Sequence, residues 1–127
     1  PVAALKKVLL VDDQAEIRQL MSLILNGRCQ TIEADCAAAA WDRILADKPD
    51  GVILDVMMPG EMDGYMLCEK IKSDARTAAT IVILVTARGQ LTDKERGKDC
   101  GADGYVVKPF SPMALATILL GLLNATV

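Results

Sequence analysis

Apolar runs alternate along this chain with stretches of helical period, and most of the runs close on a polar residue. VLLV is followed by Asp12 and Asp13, GVIL by Asp55, IVILV by Thr86 and GYVV by Lys108. A short β-branched run closed in this way predicts a buried parallel strand whose C-terminal end opens into a loop. Five strands are predicted, at 7–11, 30–34, 51–54, 80–85 and 105–107. The first helix is expected over 14–26, with Ile17, Leu20, Met21, Ile24 and Leu25 on one face and Gly27 as its stop. A second covers the alanine-rich stretch through Trp41, Ile44 and Leu45 and ends before Pro49. A third follows Gly64, with Met66, Leu67 and Ile71 toward the core. The fourth, near 91–100, has few apolar residues and carries Gly97, which costs about 1 kcal/mol relative to alanine inside a helix. The last starts at Ser111-Pro112, a good N-cap and first-turn pair, and runs to about Asn124.

Strands alternating with helices predict repeated β-α units on a parallel sheet. With right-handed crossovers, the expected fold is α/β: a doubly wound, five-stranded parallel sheet of order 2-1-3-4-5, flavodoxin-like (βα)5. Strands one and three then lie side by side where the winding reverses, and Asp12, Asp13 and Asp55 face one another there. Three carboxylates so close cannot all stay ionised without a cation or raised pKa values. A hard divalent ion is the natural relief, and an all-oxygen set with room for water suits Mg2+.

Composition narrows the classes. The 127 residues are 52% hydrophobic, with no linker or low-complexity tract between them, which predicts one globular domain over 1–127. Net charge is −3 with scattered basic residues, so direct nucleic-acid binding by this segment is not expected. No run is long enough to span a bilayer, and no membrane association is expected. Cys29, Cys36, Cys68 and Cys100 lack CxxC spacing and read as reduced thiols of a cytoplasmic protein. The absence of histidine removes histidine-based catalysis, ligation and phosphocarrier chemistry.

The ordered set VLLVDDQAEIR, ILDVMMPG, VILVTA and GADGYVVKPF resembles the receiver domain of two-component response regulators, over nearly the whole chain. The resemblance implies that Asp55 accepts a phosphoryl group from a phosphohistidine on a sensor histidine kinase or a histidine phosphotransfer protein. It implies that Asp13, Asp55 and the backbone carbonyl of Met57 bind Mg2+ directly and that Asp12 acts through water. Thr86 would donate its hydroxyl to a phosphoryl oxygen, Lys108 would pair with the phosphate, and the backbone of Met57 and Ala87 would contact it. Tyr105 matches the family's switch aromatic, which turns inward as the threonine moves. Such a domain is a signalling phosphoacceptor rather than an enzyme with a separate substrate, assisting only its own phosphorylation and hydrolysis. The Lys108-Pro109 bond is expected to be cis, aiming the ammonium into the pocket.

The chemistry agrees with the residue types. A carboxylate attacking phosphorus needs cations to offset the charge developing on the equatorial oxygens, and a metal ion with Lys108 supplies them. Two departures from the receiver pattern stand out. Four residues, Gly60-Glu61-Met62-Asp63, separate Pro59 from Gly64 where many receivers have three, and Gly97 stands where alanine is expected.

Two other classes share parts of this pattern. A magnesium-dependent aspartyl-phosphate phosphatase of haloacid dehalogenase type would show a DxD pair on one strand. Here Asp12 and Asp13 are adjacent and Asp55 belongs to another strand. A flavin- or nucleotide-binding module would show a glycine-rich phosphate loop after strand one, where Asp-Asp-Gln stands instead.

The last helix carries a further signal. Ser111 to Val127 contains no charged residue, although charges make up 24% of the chain. With Leu115, Leu119 and Leu122 toward the sheet, Met113, Thr117, Leu120 and Gly121 fall on the opposite side. That stripe predicts a dimer or output-partner contact, on the face that related receivers build from their fourth helix, fifth strand and last helix.

Overall fold

The computed structural model describes residues 5–57, 60, 62–86, 100–108 and 110–125. Five strands, β1 (Lys6–Val11), β2 (Cys29–Ala34), β3 (Gly51–Asp55), β4 (Ile81–Thr86) and β5 (Gly104–Val107), pair in parallel in the order β2-β1-β3-β4-β5. Four helices are described: α1 (Ala15–Leu25), α2 (Ala37–Asp47), α3 (Gly64–Ser73) and the C-terminal α4 (Pro112–Ala125). The helix expected near 91–100, Gly97 and the Lys108-Pro109 bond lie outside the described residues, as does part of the Pro59–Gly64 loop.

The central strands β3 and β4, and β1 from Val8 onward, are buried along their length because each face meets helices. Leu9, Val11, Val52, Leu54, Val82 and Leu84 point to one face, where Ala37, Ala40 and Ile44 of α2 and Leu67, Cys68 and Ile71 of α3 cover them. Their neighbours Val8, Leu10, Ile53, Ile81, Ile83 and Val85 point to the other, under Met21 and Leu25 of α1 and Leu115, Ala116, Leu119 and Leu123 of α4. The strict period of two divides one hydrophobic run between two cores.

Helix ends follow local chemistry. Asp63 caps α3 by accepting from the Met66 amide at 2.9 Å, and the Ser111 hydroxyl accepts from Ala114 at 3.2 Å ahead of Pro112. At the far end of α1, Gly27 takes a positive φ of 83° and stops the helix where the sequence places a stop. Lys48 turns left-handed after α2, just before Pro49.

Several side chains depart from the sequence expectation. Leu20 is 43% exposed because it lies 100° from Met21, at the margin of the stripe that meets the sheet. Met66 is 49% exposed, while Tyr65 and Cys68 take the buried positions with Leu67 and Ile71. In α4 the deep position falls to Leu123, one turn after Leu119, and Leu122 is only partly buried beside Gly104. Leu120, one turn after buried Ala116, packs partly against the core rather than standing in the outward stripe. Trp41 and Phe110 reach the core edges, Trp41 with the Lys70 ammonium 4.7 Å from its ring centre.

The four cysteines are free thiols. The Cys68 thiol donates to the Cys100 carbonyl at 3.5 Å, and burial pushes its pKa well above the ordinary thiol range.

Candidate phosphoacceptor site

The C-terminal ends of β1, β3, β4 and β5 open onto one crevice. Asp55 and Thr86 are the last residues of β3 and β4, so the backbone ladder itself holds them; in register, Asp55 lies opposite Val85, one residue before Thr86. Asp55 is 3% exposed and Thr86 1%. Across the switch point, Asp12 follows β1, with its amide donating to the Ala34 carbonyl at 3.2 Å.

One oxygen from each of Asp12, Asp13 and Asp55 lies within 4.8 Å of the others, with Asp12 and Asp55 buried and Asp13 exposed. Burial raises the Asp12 pKa; the Gln14 amide hydrogen bond and Lys108 oppose that rise, and the charges of Asp55 and Asp13 add to it. Three clustered carboxylates on a partly open edge form a donor set that fits a hard cation keeping several waters. Thioether sulfur does not suit such an ion, and the Met57 side chain accordingly stands 70% exposed at the mouth.

Opposite the acidic group, the Lys108 ammonium lies 3.2 Å from Asp55 Oδ2. The second carboxylate oxygen, Oδ1, accepts the Met57 amide at 3.0 Å. Asp55 is thus held by an ammonium on one oxygen and a backbone N–H on the other. The Lys108 amide donates to the Thr86 carbonyl at 2.6 Å, which ties the end of β5 to the end of β4. The Thr86 hydroxyl donates to the Tyr105 hydroxyl at 3.3 Å, and Tyr105 is half-buried against the core. Ala87 lies outside the described residues.

Three contributors were not singled out from the sequence. A Cβ on Gly64 would meet Val56 Cα at 2.5 Å and the Asp55 carbonyl at 2.6 Å, so only glycine lets α3 start against the backbone of Asp55. The first residue of α3 carries that signal only as one glycine among nine. Phe110 lines a void of about 10 Å³ beneath Asp12 and Asp55, together with Ile17, Met21 and Leu115. Arg18, on the same wall, donates from Nη1 to the Asp12 carbonyl at 2.5 Å.

Comparison with known proteins decides the family: the response regulator receiver domain matches residues 8–120. The chain belongs to that family. It is 38% identical over 122 residues to a probable transcriptional regulator, ycf27, of Guillardia theta, an alignment covering 95% of this chain and 46% of the relative. It is 37% identical over 122 residues to the phosphate regulon transcriptional regulatory protein PhoB of Pseudomonas aeruginosa, covering 95% and 53%. The receiver chain therefore spans about half the length of these relatives. Among solved structures, chemotaxis protein CheY4 of Vibrio cholerae superposes with a TM-score of 0.84 at 32% identity, covering 91% of this chain and 97% of that one. The receiver domain of a signal transduction histidine kinase from Syntrophus aciditrophicus gives 0.87 at 32%, covering 94% and 91%. The family is one of signalling phosphoacceptors. Among the described residues of this receiver, no helix is long and apolar enough to cross a membrane.

Proposed function

We propose that this receiver is a phosphorylation-controlled switch in which Asp55 takes a phosphoryl group from a phosphohistidine on a sensor histidine kinase or histidine phosphotransfer protein. One observation carries the reading: a buried carboxylate faces an ammonium at 3.2 Å on one side and a cluster of two further carboxylates on the other. A carboxylate oxygen of Asp55 forms a bond to phosphorus as the phosphorus–nitrogen bond to the donor imidazole breaks, leaving an acyl phosphate. Lys108 and the Thr86 hydroxyl stabilise the charge on the equatorial oxygens, and the Met57 and Ala87 amides add donors to them.

Asp13, Asp55 and the Met57 carbonyl would hold Mg2+ directly and Asp12 would hold it through water. The bound cation offsets the charge of both the carboxylates and the incoming phosphoryl group.

The output follows from the Thr86–Tyr105 pair. A hydroxyl drawn toward the phosphoryl oxygen releases its bond to Tyr105, and the ring moves with β5 and α4. Along α4, Met113, Thr117 and Gly121 are exposed, and Ile118 adds an exposed apolar group that the sequence pattern did not single out. These residues supply the contact to a second copy or to an output partner; Leu120 contributes at its edge. The reactions belong to the cytoplasm, where reduced thiols and kinase phosphoryl donors coexist. Phosphorylation of Asp55→Asn by acetyl phosphate or a kinase tests the proposal: no stable label is expected, and labelling at the wild-type level would overturn it.

A further inference from the structure

Arg18 sits on α1, outside the carboxylate cluster, yet its guanidinium reaches the backbone that carries two of the three acids. Nη1 donates to the Asp12 carbonyl at 2.5 Å, and Nε pairs with Glu33 Oε1 of β2 at 3.0 Å. The Arg18 side chain is only 17% exposed, and its guanidinium is shared between two acceptors on different elements.

The carbonyl it holds belongs to the peptide joining Asp12 to Asp13. That peptide is rigid, so its plane sets ψ of Asp12 and φ of Asp13 together, and with them the backbone on which both side chains are mounted. Asp12 has tethers besides: its amide to Ala34, and its Oδ1 accepting from the Gln14 amide at 2.8 Å. Asp13 is exposed, and its side chain leaves the chain at the end of that peptide. Fixing that plane therefore steadies the backbone from which the Asp13 carboxylate reaches the cluster.

Charge explains the second arm of the contact. A bare guanidinium beside a cation site would repel the ion, but the Glu33 carboxylate balances it. The pair supplies directional hydrogen bonds with little net positive charge, and the planar fork of arginine serves a carbonyl and a carboxylate at once. Lysine has no such fork.

We infer that Arg18, oriented by Glu33, is a positioning residue for divalent-cation binding, setting the Asp12–Asp13 peptide so that Asp13 faces Asp55. The inference rests on the metal reading proposed above. Outer contacts of this kind are typically worth 10- to 100-fold in metal affinity.

Calorimetric titration of the unphosphorylated receiver with Mg2+ tests it, alongside thermal unfolding without metal. Arg18→Ala is expected to weaken Mg2+ binding by about tenfold or more. Arg18→Lys should recover part of that loss, since an ammonium can reach the carbonyl but cannot also fork to Glu33. Glu33→Gln should weaken binding less than Arg18→Ala, and it supplies the answer if the alanine variant fails to fold. A merely structural role would lower the unfolding midpoint and leave the Mg2+ dissociation constant alone. Wild-type affinity in the folded Arg18 and Glu33 variants, with Asp13→Ala defective, overturns this inference and leaves the metal reading standing. Wild-type affinity in Asp13→Ala as well overturns both.

Discussion

Gly64 shows how much of the site depends on one missing methyl group. Its backbone amide donates to the Val56 carbonyl at 3.2 Å, so α3 begins in contact with the segment that presents Asp55. Gly64→Ala would force the Asp55–Val56 backbone aside, because the atoms a Cβ meets are main chain and cannot rotate away. Overpacking of this kind costs about 1–3 kcal/mol. The variant is expected to lose stability in urea unfolding and to phosphorylate slowly even when folded. A second residue prediction follows from the crowding of carboxylates. Asp12→Asn keeps an oxygen for the Gln14 amide but removes one charge from the cluster. The metal-free variant should melt a few degrees higher, since about 1 kcal/mol moves the midpoint by roughly 4 °C in a domain of this size, and its Mg2+ affinity should fall. Calorimetry with and without Mg2+ checks both signs. At this scale the sequence was legible where the signal is a residue type at a strand end, as for Asp12, Asp55, Thr86 and Lys108. It was silent on Gly64 and Arg18, whose roles arise from close approaches across a turn, Gly64 to Val56 and Arg18 to Asp12, that no period or strand end marks.

Elements were read from period, and they succeed or fail with the clarity of that period. Strands buried on both faces have no alternation to misread, and their predicted positions stand within one residue of the observed ones at each end. Helices with charged faces reveal their phase, whereas α4 offers ILLGLL with no charge to orient it. That is why Leu122 was placed where Leu123 belongs and why Leu120 was assigned outward. Met113 keeps its expected exposed place at 53%, and Ile118, at 43%, takes the exposed apolar position expected of Leu120. If α4 meets a second copy, Ile118→Lys should weaken association without unfolding the domain. Sedimentation with and without beryllofluoride reads this: the activated wild type should be heavier than the variant. Identical monomers in every sample would exclude self-association through α4.

Taken as a whole, the molecule places deeply buried strands and a partly buried edge on one sheet. β1, β3 and β4 run through both cores; Asp55 and Thr86 end β3 and β4, and Asp12 directly follows β1. β5 is an edge strand, as β2 is on the far side; it is only partly buried along its length, and it carries both Tyr105 and the approach to Lys108. Asp55 is linked to this less buried edge by the Lys108 ammonium, and Thr86, at the end of the neighbouring strand, is linked to it through the Tyr105 hydroxyl. The order of strands and the meeting of the three acids were legible because a doubly wound parallel sheet allows few topologies. The partial burial of β5 was not, since it depends on packing that sequence period does not encode.

The most direct measurement is phosphoryl incorporation at Asp55. Purified receiver is treated with acetyl phosphate at a series of Mg2+ concentrations, and intact protein and peptides are weighed by mass spectrometry after borohydride trapping of the acyl phosphate. The account predicts one modification per chain, located at Asp55, dependent on Mg2+ and absent in Asp55→Asn. Modification that persists undiminished without divalent cation, or that maps to another residue in the wild type, would contradict it.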